Sequence, residues 1–242
     1  MSRAALEPGM ELAARLRAEA RRADERRLLV LAGDRASGLD AAVAALQSAS
    51  VDASETVYVG RASDRDWRQV DPRRTETLLG TTQTAVVVDC HDACRPNAIG
   101  RAVGAVDGGG LLVLLTPPLD GWPSRRDDFD ESLAVPPFET SDVGGTFRRR
   151  FVETLRAHRG IAIVEVGEGG PDDRTVRRDG LTDPPPRRPP APVEPPADHD
   201  FPAATYDACL TTDQAEAVAA FEAFDAEPRA LVLEADRGRG KS

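Results

Sequence analysis

The stretch Asp107-Gly108-Gly109-Gly110-Leu111-Leu112-Val113-Leu114-Leu115 decides the fold class of this chain. An unbroken apolar run follows the glycines, and no polar residue alternates with it. Such a run is typical of a strand buried on both faces, which occurs in parallel sheets covered by helices. The glycines indicate a turn that leads into the strand. The sequence therefore predicts a central parallel strand at residues 111–115.

The segments around this strand alternate between helical and strand patterns. The predicted helices cover residues 10–23, 39–46, 96–106 and 146–155, and the other predicted strands cover residues 28–33, 56–60, 84–89 and 161–166. A loop with paired prolines, residues 116–122, cannot be regular structure. Strands alternating with helices or crossover loops form a parallel sheet with helices on both faces. The predicted fold class is α/β, a Rossmann-like domain with five mainly parallel strands.

The end of the sequence carries the clearest sign of chemistry. The apolar strand Leu231-Val232-Leu233 runs through Glu234 into Ala235-Asp236-Arg237-Gly238-Arg239-Gly240-Lys241-Ser242. In the phosphate-loop pattern G-x-x-x-x-G-K-[ST], backbone N–H groups cradle phosphates, the lysine reaches the β- and γ-phosphates, and the hydroxyl binds Mg²⁺. The last three residues match, and Ala235 replaces the first glycine by the smallest possible change. We expect residues 235–242 to bind the phosphates of a nucleoside triphosphate, with Ser242 holding Mg²⁺ through the nucleotide.

The composition before this loop indicates a change of domain. Residues 167–200 are rich in Asp, Arg and Pro, and Pro184-Pro185-Pro186-Arg187-Arg188-Pro189-Pro190 cannot donate a ladder of backbone hydrogen bonds. We predict an N-terminal α/β accessory domain at residues 1–166, a proline-rich linker at 167–200, and the beginning of a helicase-like ATPase domain at 201–242, truncated after the phosphate loop. A proline-motif docking peptide is the alternative for the linker.

The charge balance bears on partners and source. There are 41 acidic against 31 basic residues, for a net charge of −10, and Lys241 is the only lysine. Acidic, lysine-poor usage indicates a halophilic protein whose carboxylates keep it in solution at high salt. Net acidity argues against non-specific nucleic-acid binding, although a local arginine patch can still bind RNA. A lone lysine at the expected place in a phosphate loop favours a functional role for it.

Other features exclude some classes of protein. No apolar stretch has the length of a membrane span, and no signal peptide is recognisable, so we expect a cytoplasmic protein with no membrane association. The three cysteines form no disulfide framework, and we expect no disulfide partner. Cys90, His91 and Cys94 lack a second pair that would complete a zinc site.

Two further positions allow a functional and a structural interpretation. Gln214 precedes a helix, a strand and the phosphate loop, an order that favours contact with the adenine edge as in helicase-like ATPases. The spacing Thr211-x-x-Gln214 also matches a capping box, in which the glutamine closes its own helix start. Arg148, Arg149 and Arg150 are placed on the exposed side of the predicted helix 146–155. They form either an RNA-contacting patch or a solvated helix face.

The carboxyl ends of two predicted strands raise similar alternatives. Asp89 stands where ligands bind in open α/β sheets, although capping of a loop is favoured over metal binding. Residues 33–38 resemble a phosphate loop in position but lack the Gly-Lys-Ser ending. An ordinary turn with Ser37 near the helix N-cap is favoured there.

Together these motifs resemble the tRNA(Met) cytidine acetyltransferase family. The resemblance is carried by residues 107–115 with the following Pro117-Pro118-Leu119-Asp120-Gly121-Trp122, by Phe147-Arg148-Arg149-Arg150-Phe151, and by Leu210-Thr211-Thr212-Asp213-Gln214 ahead of residues 235–242. It implies an enzyme that uses acetyl-CoA and ATP to form N4-acetylcytidine at the wobble position of elongator tRNA(Met). By position, Gln214 would contact adenine, Gly238, Gly240 and Lys241 the phosphates, and Ser242 the Mg²⁺.

The resemblance also implies that the acetyl-CoA site lies beyond residue 242. We therefore expect an N-terminal fragment that contains no catalytic residue for acetyl transfer and is inactive alone, with tRNA(Met), ATP and acetyl-CoA as partners of the whole enzyme. Two alternatives stay open at this point. One is the N-terminal part of an unrelated ATP-dependent DNA or RNA helicase, and the other is a non-catalytic tRNA-docking module.

Overall fold

The computed structural model of the chain describes residues 8–61, 63–170, 173–187, 199–224, 230 and 232. The chain divides into two compact units, Met1–Arg187 and Arg188–Ser242. Among the described residues, no helix combines the length and the apolar character needed to cross a membrane.

The first unit is built around a seven-stranded sheet. Its strands are β1 (Arg27–Gly33), β2 (Thr56–Val59), β3 (Arg68–Val70), β4 (Gln83–Asp89), β5 (Val106–Thr116), β6 (Ile161–Val166) and β7 (Arg174–Arg178). Their order in the sheet is β3-β2-β4-β5-β1-β6-β7. All neighbours pair in parallel except β6 and β7, which are antiparallel. The predicted α/β class with a mainly parallel sheet is therefore confirmed.

The helices fall into two groups. The first unit contains α1 (Pro8–Ala23), α2 (Arg35–Ser48), α3 (Pro96–Ala105), α4 (Asp128–Glu131) and α5 (Thr146–Ala157). The second unit contains α6 (Ala203–Asp207) and α7 (Thr212–Glu222). The long predicted helices of the first domain are all present, with ends within a few residues of those expected from apolar spacing.

Two hydrophobic cores lie on opposite faces of the sheet. Because side chains alternate along a strand, Leu112 and Leu114 of β5 face one core, with α3 and α5, while Leu111 and Leu115 face the other, with α1 and α2. Each of these buried leucines contributes about 1.5–3 kcal/mol to folding. The continuous apolar run of β5 is thus explained by burial on both faces, as the sequence predicts.

The glycines ahead of this run lie inside the strand, so the predicted turn at residues 107–110 is wrong. β5 begins at Val106, and its pairing with β4 changes register between Gln83 and Ala85. Gly109 has φ +82°, a conformation that side-chain-bearing residues rarely adopt. The extra residues of β5 are accommodated as a bulge, which local composition does not distinguish from a turn.

Two strands are missing from the prediction. β3 is three residues long and only its last residue is buried. β7 lies inside the stretch assigned to the linker, and the chain beyond it stays bound to α1: Asp183 N donates to Glu19 at 2.8 Å, and Arg187 N donates to the Arg22 carbonyl oxygen at 2.9 Å. The expectation of irregular chain is therefore wrong at Arg174–Arg178, and the irregular residues 179–187 belong to the first unit, past the predicted domain boundary at residue 166. Residues 188–198 of the predicted linker lie outside the described residues.

The parallel strands bring several chain segments to one edge of the sheet. Asp34, directly after β1, is the N-cap of α2 and accepts a hydrogen bond from Ser37 N at 2.9 Å, so residues 33–38 are an ordinary strand-to-helix connection, as favoured. β2 and β4 are neighbours, yet β2 leads outward to β3 while β4 leads through α3 to β5 on the other side. Strands whose connections diverge in this way leave a crevice at their carboxyl ends, which is the usual ligand site of open α/β sheets.

Candidate ligand-binding crevice

Asp89, the last residue of β4, is a buried carboxylate with four hydrogen-bond contacts at this edge. Its side chain is 1% exposed. One carboxylate oxygen accepts from Arg35 Nε at 2.5 Å and from the Tyr58 hydroxyl at 2.8 Å. The other accepts from His91 N at 3.0 Å and lies 2.7 Å from His91 Nδ1. The carboxylate thus ties the residues after β4 to β2 and to the start of α2.

The cluster keeps these groups in fixed charge states. Burial alone would raise the pKa of Asp89, but hydrogen bonds from the His91 ring and backbone and from Arg35 outweigh it and hold that pKa well below its usual range. Burial and the adjacent carboxylate raise the pKa of Tyr58, while bonding to Asp89 raises the pKa of Arg35 against the effect of its own burial. Asp89 is therefore an ionised acceptor and Tyr58 a neutral donor at ordinary pH.

A cavity of about 150 Å³ opens beside Asp89, at the divergence of β2 and β4. The segments that follow β2, β3 and β4 contribute its charged lining, which includes Arg61, Arg73 and Arg95 together with aspartates. Gly60 stands where the chain leaves β2, and a Cβ there would overlap the buried Tyr58 ring. The crevice therefore has a floor held in place by the hydrogen bonds of Asp89 and a rim of charged side chains.

Most charges of the rim are already matched within the protein. Arg61 pairs with Asp128 and lies 3.5 Å from Asp92. Asp71 accepts a hydrogen bond from the backbone N of Arg73 at 2.7 Å. The Arg95 guanidinium lies 5.8 Å from the centroid of the Phe129 ring. Within the described part of the chain, neither Arg73 nor Arg95 forms an ion pair.

The structure corrects the placement of Arg148. Its side chain is 3% exposed, and its guanidinium lies 3.1 Å from Asp127 and 2.6 Å from Asp130 while also donating to the Arg125 carbonyl oxygen. It holds the loop that carries α4 and is not available to RNA. The prediction of Arg148 as an exposed RNA contact is wrong.

A rotation of helix α5 explains this error. The inward face consists of Arg148, Val152 and Leu155, whereas Phe147 is 40% exposed and stacks on the partly buried Phe151. The apolar spacing of the phenylalanines suggested a face that starts one residue earlier. Arg149 and Arg150 are exposed, so their assignment to an RNA patch stays a prediction.

Gln214 in the second unit forms the predicted capping box. Its Oε1 accepts from Leu210 N at 2.6 Å and from Thr211 N at 3.2 Å, while Thr211 Oγ1 accepts from Gln214 N at 3.3 Å. The adenine contact of Gln214 stays a prediction. The phosphate loop predicted at residues 235–242 lies outside the described residues.

The two cysteines near Asp89 are core residues. Cys90 and Cys94 are buried in the core on the α3 side, and the adjacent Cys94 thiol, together with burial, raises the pKa of the Cys90 thiol. Among the residues that the structure describes, no group of three or more His, Cys, Asp and Glu is placed to hold a metal ion. Sequence reasoning missed Arg35 and Tyr58 as partners of Asp89, although a tyrosine inside an apolar strand signals a buried hydroxyl that needs an acceptor.

The chain is similar to one protein family and to several proteins of the same name. Residues 5–166 match the family described as "tRNA(Met) cytidine acetyltransferase TmcA, N-terminal". A protein of Haloarcula marismortui named tRNA(Met) cytidine acetyltransferase TmcA is 59% identical over 97% of this chain and 30% of its own length. Proteins of the same name from Haloferax volcanii and Pyrococcus abyssi are 51% and 35% identical over 98% and 75% of this chain, and over 31% and 22% of their own lengths. The chain thus spans less than a third of the length of these relatives.

Proposed function

Because the chain belongs to the family of tRNA(Met) cytidine acetyltransferases (TmcA), we propose that it is the N-terminal part of an enzyme that forms N4-acetylcytidine at the wobble position of elongator tRNA(Met). The observation that carries this proposal is the 59% identity to a protein of that name over nearly the whole chain. The enzyme would act on tRNA in the cytoplasm, with acetyl-CoA as donor and ATP as the second substrate.

The chemistry proposed for the whole enzyme is acyl transfer. The exocyclic N4 amine of cytidine attacks the thioester carbonyl of acetyl-CoA, the C–S bond breaks, the coenzyme A thiolate leaves, and the amine loses a proton. The base must be splayed out of its stack to reach a pocket. We assign no residue of this chain to that step and place the acetyl-CoA site outside residues 1–242, so the chain alone is expected to be inactive in acetyl transfer.

For this chain we propose a share in ATP binding through residues 235–242 and Gln214. Backbone N–H groups around Gly238 and Gly240 and the Lys241 ammonium would hold the phosphates, and Ser242 would hold Mg²⁺. The capping box bears on the proposed adenine contact, because Gln214 Oε1 already accepts two backbone N–H groups. To bind there, the adenine amino group would have to replace these backbone N–H groups as the donor to Gln214 Oε1. We propose that capping and adenine contact alternate between nucleotide states.

Replacing Lys241 by alanine in the complete enzyme is expected to lower ATP hydrolysis more than about 100-fold, because the variant lacks the ammonium that stabilises phosphate charge. Phosphate release measures the first effect. Mass spectrometry of N4-acetylcytidine in tRNA(Met) incubated with enzyme, ATP and acetyl-CoA measures the expected loss of modification. Full ATPase activity in a folded Lys241→Ala variant would contradict the loop assignment, and no N4-acetylcytidine from the unaltered enzyme would contradict the proposed function.

A tRNA-contacting role is proposed for the exposed pair Arg149 and Arg150 on α5. Charge reversal at both positions is expected to weaken the affinity of this chain for tRNA(Met) about tenfold or more at moderate salt, since phosphate contacts are lost and repulsion is added. Filter binding or fluorescence anisotropy over a salt series measures the effect.

The matched control is Arg15→Glu with Arg21→Glu on α1, which changes the net charge equally. Both residues are exposed, and α1 covers the opposite face of the sheet from α5. An equal loss in both double variants would attribute the effect to net charge, and no loss in the α5 variant would make its arginines a solvated helix face. Either result contradicts the proposed patch.

A further inference from the structure

We propose that the crevice between the carboxyl ends of β2 and β4 binds a phosphate group through Arg73 and Arg95, at a site separate from the predicted ATP loop. The inference is independent of the proposed acetyltransferase function, because it rests on the geometry of the first unit alone. It assigns a ligand to a domain that we otherwise treat as an accessory.

The first support is the position of the crevice in the sheet. β2 and β4 are adjacent and parallel, their onward connections diverge, and the cavity lies at the point of divergence. Ligands of open α/β sheets bind at such points because the loops separate there and leave the strand ends uncovered. The loops after β2, β3 and β4 all contribute to the lining.

The second support is the pattern of paired and unpaired charge. Asp89 is neutralised by Arg35 and is bonded to Tyr58 and His91, while Asp92 and Asp128 are engaged by Arg61. The carboxylate of Asp71 accepts from a backbone N–H. Each acidic group of the lining thus has a partner within the protein, an arginine for Asp89, Asp92 and Asp128 and a backbone N–H for Asp71. In the described residues, the guanidiniums of Arg73 and Arg95 are the lining cations that lack a carboxylate partner.

The third support is the fit between these two arginines and a phosphate group. A guanidinium offers several N–H donors in a planar fork that matches phosphate oxygens. The ring of Phe129 supports the Arg95 guanidinium and limits the conformational entropy that binding would cost. A cavity of about 150 Å³ is of the size that takes a benzene-sized molecule, so one phosphate group with its first attached atoms fits it.

The test uses the 242-residue chain carrying Lys241→Ala, so that the predicted ATP loop does not contribute. The probes are inorganic phosphate, adenosine monophosphate and a short single-stranded RNA without terminal phosphates, each titrated by calorimetry at moderate and at high KCl. Saturable binding of phosphate or the mononucleotide would identify a monoester site. Binding of the RNA alone would identify a backbone diester as the ligand.

The decisive comparison is between two double variants on this background. Arg73→Gln with Arg95→Gln is expected to weaken probe binding about tenfold or more, because charge-assisted hydrogen bonds are lost. Arg68→Gln with Arg74→Gln is expected to bind as the parent does, because both residues are exposed nearby but do not line the cavity. If the first variant is poorly folded, Arg73→Gln alone replaces it, since that side chain lies on the surface. Absence of binding by all probes, or equal weakening in both double variants, would overturn the proposal.

Discussion

Replacement of Arg148 by alanine is expected to lower the free energy of unfolding of the first unit by about 3–5 kcal/mol. Arg148 is the buried cation between two carboxylates, Asp127 and Asp130, whose side chains are each 4% exposed. Without it both carboxylates would stay desolvated and unbalanced. Asp127 also accepts hydrogen bonds from Cys94 N and Phe129 N, so the variant would disturb the loop between β4 and α3 as well as α4.

Urea unfolding followed by circular dichroism measures this loss, and Arg149→Ala is the matched control one residue along α5. Its exposed side chain predicts a change within about 0.5 kcal/mol. A second variant separates lost charge from lost packing: Arg148→Met combined with Asp127→Asn and Asp130→Asn removes all three charges and should recover part of the stability. Equal midpoints for the two alanine variants would show that the buried ion pairs contribute nothing net.

Replacing Asp89 by asparagine is expected to lower the free energy of unfolding by about 3 kcal/mol at neutral pH, because Arg35 and His91 lose a buried anionic partner. The loss should also depend on pH. The folded pKa of Asp89 is depressed below the value of about 3.9 for an unfolded aspartate, so its contribution is fully present above pH of about 4. It is lost as the pH falls below that value towards the folded pKa.

The difference in unfolding free energy between the parent and Asp89→Asn should therefore shrink as pH falls from about 5 to about 2. Chemical unfolding at a series of pH values measures it. Tyr58→Phe is the control, because it removes the hydroxyl's hydrogen bonds to Asp89 and from Arg35, each worth about 1 kcal/mol, but leaves the carboxylate and its acid sensitivity. A difference that stays constant over this pH range would contradict the assigned role of the Asp89 charge.

The arginine-rich helix α5 shows how much of a structure a sequence pattern predicts. The helix that carries Arg148 was predicted with nearly its observed bounds, since apolar spacing is a local property. The buried face of the helix was predicted to begin at Phe147 but begins at Arg148. A buried arginine with two aspartate partners cannot be recognised from the spacing of apolar residues. Aspartates that stand 18 and 21 residues away decide that Arg148 points inward.

Short or polar strands show the same limit. β3 and β7 contain arginines and little apolar surface, so their strand character comes from pairing with β2 and β6 and not from their own composition. The glycine bulge of β5 likewise depends on register with β4. In each of these places, pairing with a neighbouring strand supplies the information that the segment itself lacks.

The sequence by itself determined the α/β class, the long helices, the central buried strand, the capping box at Thr211 and Gln214, and the family, because these depend on local periodicity and on contiguous motifs. Only the tertiary structure decided which charges meet. Arg35 and Asp89 are 54 residues apart, and the strand order brings them to one edge of the sheet. The same order gathers Arg73 and Arg95 around the crevice, and Asp127 and Asp130 hold Arg148 in the interior. Long-range pairing sets these contacts, since the energy of each depends on burial and partners that no single stretch of sequence contains.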